Sequence, residues 1–65
     1  MRLDKQKLRI AMARACMDTE DVIQAAEMPR PTFNGAMQGR SIRPATLGRI
    51  ARALGVDVTE IIKED

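Results

Sequence analysis

Arg30, Asn34 and Gln38 stand out within the stretch MPRPTFNGAMQG, residues 28–39. Arginine presents a fork of donors; asparagine and glutamine each present a donor beside an acceptor. On an exposed face, such groups pair two-pronged with flat hydrogen-bonding edges: arginine with guanine, asparagine or glutamine with adenine. Pro31 and Gly35 share that face and offer no side-chain hydrogen bond, so the face is sparse. Other reactive side chains are scarce. The chain has no histidine, tyrosine or tryptophan, and a single cysteine, Cys16. The usual zinc spacings and an internal disulfide cannot be built. No metal, no other cofactor and no catalytic residue is expected, and 65 residues leave little core for a substrate pocket.

The reading face needs a helix to carry it. Proline is favoured in the first turn of a helix, where its missing N–H is not needed and its φ is preset. Pro31 fits that place, with Arg30 just before it, and Pro29 keeps the preceding turn extended. Phe33 and Ala36 or Met37 then face inward, and Gly39 ends a helix about two turns long. Upstream, Val22, Ile23 and Ala26 mark a helix that begins after Asp18 and ends near Glu27. Asp18 with Asp21 forms a loose capping arrangement, and Thr19 is the other candidate cap. Two helices joined by so short a turn form a helix-turn-helix candidate.

Three further helices are expected. The first runs from about Asp4 to Ala15, with Leu8, Ala11, Met12 and Ala15 at helical spacing. The fourth starts at Pro44, turns Leu47, Ile50, Ala51 and Leu54 to one face, and stops at Gly55. The fifth opens with a capping box, Asp57 with Glu60, and carries Val58, Ile61 and Ile62. The expected fold is all-α, a compact five-helix unit forming a single domain over residues 1–65. No apolar run approaches the ~20 residues of a membrane span. A free thiol with no signal segment reads as cytoplasmic.

Charge is segregated along the chain. Residues 30–52 hold five arginines and no acid, whereas residues 15–29 hold four acids and no base. The net charge is only +2, but the arginine-only run is a candidate polyanion-facing surface. The bland alternative is a solvated face, and it is preferred for Arg49, Arg52 and the basic residues of the first helix. Cys16 and the five methionines are read as packing residues.

With these motifs in place, the chain from about Leu8 to Ile62 resembles the phage repressor/Cro-type helix-turn-helix (XRE-like) family. RPATLGRIARALGVDVTEII, Arg43 to Ile62, is its most specific part, similar to the family's last two helices. The resemblance implies a lambda-repressor-like fold and a sequence-specific regulator of transcription that binds double-stranded DNA. The further implication is a repressor acting as a homodimer on an inverted-repeat operator, with no small-molecule ligand. It implies that Arg30, Pro31, Asn34 and Gly35 stand at base-reading positions. Thr19, Thr32, Gln38, Arg40, Arg43, Ala45 and Thr46 then meet the phosphate backbone, the last two through amides at a helix start. The dimer surface is expected on the fifth helix, with Ile61 or Ile62 exposed.

The departures from the family are specific. Glu27 stands where glycine is preferred in the turn. Ile23 replaces a smaller alanine and needs room, expected from Ala36 and Gly35. Met12 and Met37 stand where some members pair arginine with glutamate. A competing reading keeps the fold and changes the job: an antitoxin-like or adaptor module whose acidic segments hold a protein partner.

Overall fold

A computed structural model describes residues 1–64; Asp65 lies outside them. Four helices follow one another: α1 (Lys5–Ala15), α2 (Thr19–Ala26), α3 (Arg30–Met37) and α4 (Pro44–Leu54). A 3-10 turn, Val58–Glu60, stands where a fifth helix was expected. The all-helical architecture holds and the five-helix count does not. The reason lies in the backbone bonds. The turn opens as foreseen, with Asp57 and Glu60 forming a capping box. Ile61 then gives its carbonyl to the Asp4 N–H at 2.8 Å, and Lys63 gives its N–H to the Arg2 carbonyl at 2.9 Å. Pairing with the first residues takes the groups a longer helix would have used, and Leu3 and Ile62 meet in an isolated antiparallel bridge. Ile61 is fully buried and Ile62 half-buried, so Ile61 is not free for a dimer surface.

Each helix ends on the same device. Cys16 (φ 56°), Glu27 (φ 52°), Gly39 (φ 89°) and Gly55 (φ 69°) all adopt the left-handed conformation. The N–H after each reaches back into its helix: Met17 to Met12 (3.0 Å), Met28 to Ile23 (3.4 Å), Arg40 to Gly35 (3.1 Å), Val56 to Ala51 (3.0 Å). This closure satisfies carbonyls that would otherwise lack partners, and it sets the first residue beyond the cap beside the last turn. In α1, α2 and α4 both members of the pair are apolar and belong to the core or pack against it. In α3 they are arginine and glycine. Cys16, read as a packing residue, is instead an exposed cap.

The core is small and continuous. Its fully buried large side chains are Phe33, Leu8, Leu47, Ile50, Ile61 and Val22. α4 is the hub, packing on α2, α1 and the 3-10 turn. Met12 and Met37 are half-buried against this core, in keeping with the apolar substitution read from the sequence. Lys7 donates to the Ile62 carbonyl at 3.3 Å, and Arg14 pairs with Glu60 at 3.3 Å, so two bases of α1 help hold the chain's end. Among the described residues no helix is long and apolar enough to cross a membrane.

The caps make acid a selective stress. Hydrogen bonds from the backbone and then the side chain of Asp21 hold the Asp18 carboxyl below the ordinary carboxylate range. The Thr59 side chain and amide do the same for Asp57. A depressed native pKa contributes stability above the unfolded-state pKa, which is lost as pH falls through the native one. Asp18→Asn keeps an acceptor without a titrating proton, so urea midpoints between neutral pH and about pH 2 are expected to fall less in the variant than in the parent. The left-handed turn yields a second expectation. A side chain with a Cβ is disfavoured at Glu27 by roughly 1–2 kcal/mol, partly offset by glycine's greater freedom when unfolded. Glu27→Gly should therefore raise the urea midpoint and Glu27→Ala should not; a lower midpoint in the glycine variant would show that the Glu27 side chain contributes more than its backbone strain removes.

Candidate nucleic-acid interface

The site begins with how the turn between α2 and α3 is held. Glu27 reverses the chain and Met28, 8% exposed, drops into the core. Pro29, at φ −65° and ψ 143°, then leads into α3 without any side-chain cap. Its carbonyl accepts from Thr32 at 3.1 Å and Phe33 at 3.3 Å, starting the helix. Phe33 and Ala36 are completely buried. Burial of that side turns Arg30, Pro31, Thr32, Asn34 and Gln38 outward, all exposed, with Gly35 half-covered. These exposed residues thus lie along one helix and its C-cap Gln38, with Arg30 as the first helical residue and Pro31 as the second.

The helix starts fall into two kinds. Asp4, Asp18 and Asp57 cap α1, α2 and the 3-10 turn with their carboxylates. α3 and α4 have no side-chain cap, and each opens with the dipeptide Arg-Pro: Arg30-Pro31 and Arg43-Pro44. Both starts therefore keep the partial positive charge of their unpaired amides and add an arginine beside it. Ala45 and Thr46 sit in the first turn of α4 with the exposed Arg43 as the residue before it. Such a start is suited to an anion. Thr19, by contrast, opens a helix already closed by the Asp18–Asp21 capping box, with Glu20 next to it.

A family model for the Cro/C1-type helix-turn-helix DNA-binding domain matches residues 7–64. The chain belongs to this family. No curated protein and no solved structure matches it at a significant level. In this Cro/C1-type domain α2 and α3 are the two helices of the motif, and the uncapped, arginine-led start of α4 follows the second.

Met28, one of the methionines read as packing residues, does pack in the core and anchors the turn. Two features escaped the sequence. Glu20, in the first turn of α2, forms an ion pair with Arg30, the first residue of α3. Nine intervening residues hide that pairing until the two helices are docked. Arg40 lies over Gly35: a Cβ built on Gly35 would stand 3.5 Å from Arg40 Cδ and 3.9 Å from Nη1. Gly35 therefore does not supply the room expected for Ile23, which is buried at 9% exposure in the same core as Ala36.

The Glu20–Arg30 pair leaves the Arg30 side chain 55% and the Glu20 side chain 54% exposed. Water screens such a pair, so its weight in folding is small. Glu20→Gln is expected to change unfolding stability by less than about 1 kcal/mol, read by urea titration. A larger loss would make the pair a structural strut between α2 and α3.

Proposed function

We propose that this Cro/C1-type domain is a sequence-specific regulator of transcription that lays α3 in the major groove of double-stranded DNA. In this reading the chain over residues 1–65 acts as one DNA-binding unit. It represses from an inverted-repeat operator, as a homodimer. The observation that carries the reading is the pair of uncapped, arginine-led helix starts at α3 and α4, flanking a face of exposed polar side chains. Arg30 is the proposed reader of guanine and Asn34 of adenine. Pro31 keeps its part of the helix face flat, for close approach or contact with thymine methyls, whereas the Gly35 position is covered by Arg40. Thr32, Gln38, Arg43 and the amides of Ala45 and Thr46 meet phosphate and fix the register. Thr19 contributes least of this set, because the carboxylates of Asp18, Glu20 and Asp21 surround it.

A homodimer follows from the size of the reading face. A helix of eight residues spans few base pairs. Two copies about a two-fold axis read half-sites about one helical turn apart and multiply the discrimination.

Selection of bound duplexes from a randomised library at two salt concentrations tests this reading. An inverted repeat with half-sites about one turn apart is expected, with affinity falling steeply as salt rises. A library without enrichment would overturn it. On the selected site, Arg30→Ala is expected to lose about 1–3 kcal/mol of binding and its guanine preference. An equal loss on every duplex would reassign Arg30 to the phosphates.

A further inference from the structure

We infer that Arg40 is a second base-reading residue: seated on the bare backbone of Gly35, it supplies a guanine-pairing fork at the point on α3 where the helix has no side chain. This rests on the proposal that α3 lies in the major groove, and it changes the part expected of Arg40 from phosphate contact to sequence readout.

The backbone fixes the seat. Gly39, at φ 89°, ends α3 in the left-handed turn, and the Arg40 N–H returns to the Gly35 carbonyl at 3.1 Å. That closure sets the residue after the cap beside the last helical turn. The corresponding residues after α1, α2 and α4 are Met17, Met28 and Val56, all apolar and in or against the core. Only after α3 is the residue charged and exposed, and only there is its partner in the helix a glycine. The Arg40 side chain uses the space this leaves, with Cδ 3.5 Å and Nη1 3.9 Å from where a Cβ on Gly35 would be.

The chemistry follows from that placement. The stem and one guanidinium nitrogen lie over Gly35, and Arg40 is exposed like Asn34 and Gln38 on the same helix and its cap. Among the described residues Arg40 forms no ion pair, whereas Arg30 is engaged by Glu20. A phosphate-neutralising arginine needs only proximity. A guanine-reading one needs a fixed direction for its planar fork, and a stem laid along a helix supplies it. Gly35 stands five residues beyond Arg30, about 7.5 Å along the helix, so the two forks address different base pairs.

The test repeats the library selection with the parent, Arg40→Ala, Arg40→Lys and Gly35→Leu. The alanine variant is expected to lose preference for a guanine at one position of each half-site, with the other positions unchanged. Its affinity for the parent's site should drop about tenfold or more. Replacing that guanine should weaken the parent and leave the alanine variant unaffected. Arg40→Lys keeps the charge and loses the fork, so it should restore overall affinity better than it restores the preference. Gly35→Leu fills the seat while favouring the helix, and should disturb the same position. Arg40 is a phosphate contact, and the inference fails alone, if the parent enriches a site and Arg40→Ala selects the same one with a uniform loss and a shallower salt dependence. If the parent enriches no site, the reading of α3 fails with it.

Discussion

An eight-residue helix with a proline at its second position and a glycine at its sixth has no stability of its own in water. α3 exists because Phe33 and Ala36 are fully buried and because Met28, just before it, is held in the core. Phe33 is the chain's single aromatic residue. Burying its ring sets the rotation of α3 about its own axis, and that rotation decides which residues face solvent. Losing a buried phenylalanine commonly removes 3–5 kcal/mol, roughly the stability that one small core supplies. The exposed face of α3 therefore stands or falls with the core beneath it.

The distribution of caps shows how one chain reconciles stability with an anion-facing surface. A carboxylate cap strengthens a helix start and cancels its positive end. Asp4, Asp18 and Asp57 do this for α1, α2 and the 3-10 turn. The starts of α3 and α4 forgo it and rely on proline's preset φ to begin the helix. Proline stabilises a start without bringing negative charge, so these two ends remain available to phosphate. The Glu20–Arg30 pair is the exception, a carboxylate placed at the edge of the face. It places the Arg30 guanidinium beside the first turn of α2.

Local signals were legible where one residue decides the geometry. Pro44 and Gly55 bound α4, α1 starts next to Asp4, and the paired prolines mark the entry to α3, because each acts within a turn of itself. The fifth helix was misread for the opposite reason. Its capping box is real, but the residues after it pair with Arg2 and Asp4 at the far end of the chain. Cys16 was misread as packing because a left-handed cap at a non-glycine residue leaves no compositional mark. Ile23 was expected to find room against Gly35, and Gly35 turned out to receive Arg40 from the solvent side.

The sequence by itself determined the helical class, the helix starts and stops, the family, and the exposed identity of Arg30, Asn34 and Gln38. These depend on φ preferences, capping chemistry and apolar spacing, all read over a few residues. Tertiary structure decided the pairing of Glu20 with Arg30, the seating of Arg40 on Gly35 and the shortening of the final helix. Each joins residues whose distance depends on how whole helices dock or how the chain closes a turn. Local propensity carries no information about that distance, because it is set by the shape of the shared core.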